Sequence, residues 1–178
     1  MKIIAFSGSN SSTSINQTLL QIIQDNFKEY PIDLLDLRQL DLPIFSVDIE
    51  RNEGYPEALK ELIDQLKQAD ALLLALPEHN GFPTAFFKNL IDWMSRMDKQ
   101  FLGNNPTVLL STSPGSKGGA NALERVAPSF KYWGAEVVGQ YSVPFFKEAY
   151  DKENNTLTAE HMNQIGSLLQ QLVPAKPV

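Results

Sequence analysis

The chain has 178 residues, of which 43% are hydrophobic, and its formal net charge is −6. This length and hydrophobic fraction predict one domain over residues 1–173, with a short tail at residues 174–178. Interspersed charges disfavour nucleic-acid or membrane-surface partners, and the absence of cysteine excludes disulfides and thiolate metal sites. We expect a cytoplasmic protein without a signal peptide, since the first strand pattern begins beside Lys2 and no apolar run could span a membrane.

The first pattern is an apolar run, Ile3 to Phe6, then a turn of small hydroxyl residues and a helical pattern from Ile15. The first amides of a helix lack intrahelical partners and the dipole is positive there, so this arrangement suits an anion. The first turn, residues 8–16, lacks the lysine of a triphosphatase loop and the spaced glycines of a dinucleotide-binding turn. It predicts a phosphate-monoester site with Ser14 as helix cap, the alternative being a merely polar turn.

Strand and helix patterns alternate along the rest of the chain. A second strand is predicted at Ile32 to Leu37, and Ala71 to Leu76 has the continuous apolar sequence of a central parallel strand. Further strands are predicted at 107–111 and 136–139, and further helices at 56–67, 86–94, 120–133 and from Thr158. Five strands and five helices in alternation predict a doubly wound α/β domain, in which ligands bind at the carboxyl ends of the strands.

Two more turns follow strands at that edge. The second turn, residues 77–83, follows the third strand, and the third turn, residues 113–119, follows the fourth. Both contain residues with unusual backbone freedom or with hydrogen-bonding side chains. A ligand that contacts all three turns needs a phosphate at one end and a flat, hydrogen-bonding body at the other.

The three turns resemble the motifs of the NAD(P)H-dependent FMN reductase family, which includes quinone, azo-dye and chromate reductases. The family's Gly-Ser-x-Arg-x-x-Ser-x-Asn is matched by Gly8, Ser9, Ser14 and Asn16, with Ser11 where arginine is usual. Its Pro-Glu-Tyr-Asn and following Leu-Lys-Asn-x-Ile-Asp-Trp helix are matched by Pro77, Glu78, Asn80, Lys88, Asn89, Ile91, Asp92 and Trp93, with His79 replacing tyrosine. Its Ser-x-Gly-x-x-Gly-Gly is matched by Ser113, Gly115, Gly118 and Gly119. The resemblance covers most of the chain, from Ile3 to Val138.

The resemblance implies a flavodoxin-like sheet in the order 2-1-3-4-5 and bound FMN. The phosphate would be held by Ser9, Ser11, Ser14, the Ile15 amide and Asn16. The isoalloxazine would lie against Pro77, Glu78, His79, Asn80, Gly81, Ser113, Gly115 and Gly118. We expect the backbone of Glu78, rather than its carboxylate, to matter. Hydride transfer needs stacked rings and no protein acid or base, so no catalytic side chain is predicted.

The resemblance therefore implies an FMN-dependent oxidoreductase that passes a hydride from NADPH or NADH, through FMN, to a small-molecule acceptor. Quinones, azo compounds, flavins and metal oxyanions are the candidate acceptors. The alternatives are a flavodoxin-like electron carrier that docks with redox proteins and a fold relative that has lost FMN. No metal site is predicted, because His79 and His161 belong to distant elements. The apolar residues between Phe82 and Met94 predict a homodimer or a dimer of dimers.

Overall fold

Five parallel strands form the central sheet in the computed structural model, which describes residues 1–173. The strands are β1 (Ile3–Ser7), β2 (Ile32–Leu35), β3 (Ala71–Ala75), β4 (Asn105–Thr112) and β5 (Ala135–Val143). They pair in the order β2-β1-β3-β4-β5, and each pairing is parallel. The predicted doubly wound sheet and its flavodoxin-like order are therefore confirmed. The predicted tail, residues 174–178, lies outside the described residues.

Helices cover both faces of this sheet. They are α1 (Ile15–Asn26), α2 (Val47–Glu53), α3 (Glu57–Lys67), α4 (Ala85–Met97), α5 (Ala120–Val126), α6 (Phe146–Ala149) and α7 (Ala159–Leu172). Helices α1 and α7 pack with Ile3 and Ala5 of β1, whereas α3, α4 and α5 pack with Ile4 and Phe6. Strand β3 is buried along its whole length, which explains its continuous apolar sequence. None of the helices in residues 1–173 is long and apolar enough to cross a membrane.

Three elements end at residues that differ from the sequence prediction. Strand β2 stops at Leu35 because the Asp36 side chain accepts a hydrogen bond from the Arg38 amide and begins a short 3₁₀ turn. The predicted helix at 120–133 is α-helical only to Val126 and continues as a 3₁₀ helix, since Pro128 cannot donate an i→i−4 bond. Strand β5 runs on past a register irregularity to Val143.

Helix α2 was not predicted. It buries none of its side chains fully, so its sequence carries no strong apolar stripe. Ser46 caps it by accepting a hydrogen bond from the Asp48 amide, and Gly54, with φ of +78°, ends it. The four-residue helix α6 and two small hairpins, one at 78–83 and one at 150–157, were also missed.

The strand register brings the three turns to one edge of the sheet. Ser7 pairs with Ala75, and the Gly8 amide donates to the Ala75 carbonyl at 2.9 Å. On the other side of β3, the Leu76 amide donates to the Leu110 carbonyl at 2.8 Å. Strands β1, β3 and β4 therefore end level with one another, and the turns that follow them are neighbours.

Candidate functional site

The hydroxyl groups of the first turn order the turn and keep protons to donate. Ser9 Oγ accepts from the Ser11 amide, and Ser11 Oγ accepts from the Thr13 amide, each at 3.2 Å. Ser14 Oγ accepts from the Gln17 amide at 3.2 Å and is the predicted cap of α1. A hydroxyl that accepts a hydrogen bond can still donate its own proton. The Ser11 and Thr13 hydroxyls also share a hydrogen bond at 3.3 Å, so the turn is preorganised and keeps most of its hydroxyl donors.

The start of α1 supplies two free amides. The first intrahelical bond runs from the Thr18 amide to the Ser14 carbonyl, and within residues 1–173 the Ile15 and Asn16 amides have no acceptor. The Asn16 side chain, in contrast, already has a partner at both of its polar atoms. It is buried, its Nδ2 donates to the Thr112 carbonyl and its Oδ1 accepts from the Thr112 amide, both at 3.0 Å. The Asn16 backbone amide and the second Nδ2 proton are therefore the donors that Asn16 keeps for a phosphate.

Thr84 connects the first turn to the second. Its Oγ1 donates to the Gly8 carbonyl at 2.5 Å and accepts from the Phe87 amide at 3.0 Å, which caps α4. A Cβ at Gly8 would lie only 3.1 Å from Phe87 Cβ, so glycine permits this close packing. Thr84 was not among the predicted site residues. A threonine directly before an apolar helical pattern is the capping signal that could have found it.

The second turn is a β-hairpin rather than an irregular loop. Strands 78–79 and 82–83 pair antiparallel, and Asn80 and Gly81 have φ of +55° and +78°, as a two-residue type I′ turn requires. Pro77 is buried, whereas His79 and Asn80 are exposed. Among the described residues, the amides of Asn80 and Gly81 have no acceptor, and the Asn80 side chain has no hydrogen-bond partner. Asn80 therefore supports the turn through its backbone conformation.

The carboxylate of Glu78 connects the second turn to α5. Its Oε1 accepts from Asn121 Nδ2 and its Oε2 accepts from the Ala122 amide, both at 3.0 Å. We expected the backbone of Glu78 to matter rather than its carboxylate, and no feature of the sequence indicated these two carboxylate contacts. A carboxylate near a helix N-terminus is stabilised by the helix dipole, so Glu78 is well suited to position α5 against the hairpin.

The third turn is compact, but there is free space beside Gly115. Ser113 Oγ accepts from the Gly115 amide, and the Gly115 carbonyl accepts from the Gly118 amide, each at 3.2 Å. Gly118 has φ of +58°, and a Cβ there would lie 2.7 Å from the Val143 carbonyl group. Packing alone therefore requires Gly118. Gly115 is exposed, and a Cβ there would meet only Ser113 Oγ at 3.8 Å.

Three side chains therefore join the three turns into one frame. Thr84 joins the first turn to the second, and Asn16 joins the first turn to the end of β4, where the third turn begins. Glu78 joins the second turn to α5, which follows the third. Such ties fix the positions of ligand-binding groups before the ligand arrives, which lowers the entropic cost of binding.

Arg38 is a cation in contact with the first turn. Its Nη1 donates to the Ser12 carbonyl at 3.4 Å, and its Nε and Nη2 bind the Asp36 carboxylate. Hydrogen bonds from Arg38 lower the pKa of Asp36, so this carboxylate stays charged and offsets the guanidinium. In the part of the chain that the structure describes, no three His, Asp or Glu side chains are grouped as metal ligands.

The chain matches the family described as NADPH-dependent FMN reductase over residues 1–148. It belongs to this family. It is 28% identical to an NAD(P)H-dependent FMN reductase of Pseudomonas aeruginosa, over 97% of this chain and 93% of that protein. It is 36% identical over 80 residues to a quinone reductase of Escherichia coli, spanning 45% of this chain and 43% of that one. The FerB flavoenzyme NAD(P)H:(acceptor) oxidoreductase of Paracoccus denitrificans has a TM-score of 0.72 and 25% identity, covering 96% of this chain and 94% of that one.

An FMN reductase uses FMN as cofactor and NAD(P)H as electron donor, and the residues at this edge fit FMN. The Ser7 hydroxyl, at the end of β1, is buried and has no hydrogen-bond partner in residues 1–173. The free Ile15 and Asn16 amides suit a phosphate. The amides of Asn80 and Gly81 at the hairpin tip have no acceptor among the described residues, so they are available to the hydrogen-bonding edge of a flat ring. The resemblance deduced from the three motifs is confirmed at the level of family and cofactor.

One prediction concerns Ser11, where arginine is usual in the FMN reductase family. Ser11 is exposed and uncharged, so a phosphate bound at this turn would be held by neutral donors and the α1 dipole. We expect Ser11→Arg to lower the dissociation constant of FMN about threefold to tenfold at low salt, because a guanidinium–phosphate pair is charge-assisted. Titration monitored by flavin fluorescence measures this, and the gain should shrink as salt rises. Ser167→Arg, on the exposed side of α7, adds the same charge away from the first turn and should leave the dissociation constant of FMN unchanged. Equal dissociation constants of FMN for wild type and Ser11→Arg would show that Ser11 does not face the phosphate.

Proposed function

We propose that this FMN reductase passes two electrons from NAD(P)H, through FMN, to small acceptors such as quinones, azo compounds, flavins or metal oxyanions. The observation that carries the proposal is the frame of three cross-tied turns, with phosphate donors at one end and open backbone amides at the other. The relatives named quinone reductase and NAD(P)H:(acceptor) oxidoreductase support small-molecule acceptors. The cytoplasmic location expected from the sequence stays a prediction.

In this proposal each part of the frame has one task. The Ser9, Ser11 and Ser14 hydroxyls and the amides of Ile15 and Asn16 bind the phosphate. The hairpin tip at Asn80 and Gly81 donates to the carbonyls and nitrogens of the ring edge, with His79 beside the ring. Ser113 and Gly115 form the opposite wall, which Gly118 holds against β5. FMN, when bound, supplies the hydride-accepting chemistry, so the chain needs to bind and orient rather than transfer a proton.

Anaerobic mixing of the FMN-loaded protein with NADPH or NADH tests the proposal. A reductase should lose its flavin absorbance near its catalytic rate and regain it on addition of a quinone. An electron carrier would keep its colour with either nucleotide, and a protein that does not bind FMN would show no flavin spectrum. Either of these results would contradict the proposed function.

We predict that the protein binds FMN more tightly than riboflavin. The free amides at the start of α1 and the hydroxyl protons of the first turn have a partner only when the ligand carries a phosphate. We expect riboflavin to bind at least tenfold more weakly, a loss that corresponds to one charge-assisted hydrogen bond. Isothermal titration of both flavins into the apoprotein measures the ratio. Similar dissociation constants would remove the phosphate site from the proposal.

We also propose a homodimer or a dimer of dimers, although fewer apolar side chains support it than the sequence suggested. Of the seven large apolar side chains between Phe82 and Met94, five are buried by the chain itself. Phe82 remains 55% exposed beside an apolar groove of about 180 Å³, and the Arg125 guanidinium lies 4.5 Å from its ring centroid. A second copy of the chain would cover this apolar surface.

Light scattering at micromolar concentration should therefore give at least twice the mass of one chain. Phe82→Asp should shift the protein toward the monomer, since it places a charge in the proposed interface. Val47→Asp, at an exposed position on α2, is the matched control and should leave the mass unchanged. A monomeric wild type would contradict the prediction.

A further inference from the structure

A groove of about 1000 Å³ adjoins the FMN frame on its α1 side. It is lined by residues 12–15 of the first turn, by Pro114 of the third turn and by Gln17, Thr18 and Gln21 of α1. Its opposite wall is formed by α6 and the hairpin at 150–157. No residue of the second turn lines it, so the groove lies beside the proposed ring site, and it shares Ser14 and Ile15 with the proposed phosphate site.

The opposite wall of this groove is fixed to α1. Asn155 Nδ2 donates to the Asp25 carboxylate at 3.0 Å, and Asn26 Nδ2 donates to the Asn155 carbonyl at 2.8 Å. The Tyr150 hydroxyl donates to Asn155 Oδ1 at 3.1 Å. These bonds hold the hairpin against the helix, so the groove is preformed.

The lining of the groove is cationic although the chain as a whole carries a net charge of −6. Arg38, Lys147 and Lys152 line it, and no Asp or Glu does. Asp36 pairs with Arg38, but within residues 1–173 neither Lys147 nor Lys152 has an acidic partner. The rings of Phe146 and Tyr150 stack 5.4 Å apart in the same wall. Unpaired ammonium groups beside aromatic rings and hydroxyls are suited to a phosphate-bearing nucleotide.

We propose that this groove binds the adenosine end of NADPH, with Lys147 and Lys152 binding its 2′-phosphate. This inference rests on the proposed function, in which the nicotinamide ring lies over the flavin. Pro114, which lines the groove, lies between Ser113 and Gly115 of the proposed ring wall, so the groove is next to that position. NADH lacks the 2′-phosphate and gains nothing from the two lysines. The groove therefore makes this reductase prefer NADPH over NADH.

Binding of adenosine 2′,5′-bisphosphate to the FMN-loaded protein tests the groove without any reaction. Isothermal titration at low salt should show that it binds more tightly than adenosine 5′-monophosphate. The double variant Lys147→Ala/Lys152→Ala should weaken the bisphosphate about tenfold and the monophosphate much less. Lys99→Ala is the matched control, because Lys99 is an exposed lysine at the opposite edge of the sheet and has no acidic partner among the described residues. It should bind both nucleotides like wild type.

Steady-state kinetics gives the second readout. The double variant should raise KM for NADPH about tenfold, keep KM for NADH within about twofold and leave kcat unchanged with both donors. Equal affinity for the two adenosine nucleotides, or a double variant that behaves as wild type, would overturn the inference. A double variant whose only change is weaker binding of FAD would also overturn it. The groove would then hold the adenosine of a flavin instead of that of NADPH. If the bisphosphate binds as expected but neither donor is oxidised, the proposed function fails and the groove stands.

Discussion

Asn16→Ala should lower the free energy of unfolding by about 2–4 kcal/mol and greatly weaken FMN binding. The Asn16 carboxamide makes both hydrogen bonds to the Thr112 backbone, and both residues are about 2% exposed. Alanine would leave a buried N–H and a buried C=O without partners, and each such group costs about 1–3 kcal/mol. The first turn would also lose its tie to β4, so the phosphate donors would be less well ordered.

Urea unfolding and FMN titration measure these two effects. Gln17→Ala is the control, because Gln17 is the next residue along α1 and its side chain makes no hydrogen bond in the part of the chain that the structure describes. It should change stability by less than about 0.5 kcal/mol. A stable Asn16→Ala variant with normal FMN affinity would show that the contact with Thr112 does not order the turn.

Glu78→Ala should raise the dissociation constant of FMN on the order of tenfold or more, with a smaller loss of stability. Removal of the carboxylate deprives the Ala122 amide and Asn121 of their acceptor and releases the hairpin from α5. The second and third turns would then have to be ordered by FMN itself, and the cost of this ordering appears as lost affinity. Glu78→Gln keeps one acceptor oxygen and should recover part of the affinity.

Glu124→Ala provides a matched control for Glu78, since Glu124 is an exposed glutamate on α5, the helix that the Glu78 carboxylate contacts. It should bind FMN like wild type. The two Glu78 variants also separate positioning from charge. If Glu78→Gln lost as much affinity as Glu78→Ala, the negative charge would matter more than the hydrogen bond to the Ala122 amide.

Sequence reasoning predicted the parts of this protein that depend on neighbouring residues. The apolar run of β3 indicated a buried central strand, Ser14 indicated the cap of α1, and the glycine-rich turns indicated where the chain changes direction. The order of the motifs indicated the family and its cofactor. Prediction failed at α2, which has no strong apolar stripe, and at Pro128, where a missing N–H turned the end of a helix into a 3₁₀ segment.

The amino-acid sequence by itself determined the alternation of strands and helices, the family and the positions of the three turns. Only the tertiary structure decided what holds these turns together. Asn16 and Thr112 are 96 positions apart, and Glu78 and Ala122 are 44 positions apart, so no local pattern relates them. The cationic groove likewise combines α1 with the hairpin at 150–157. Caps and periodicity depend on backbone geometry within a few residues, whereas these contacts exist only once the strands have paired and the helices have packed on the sheet.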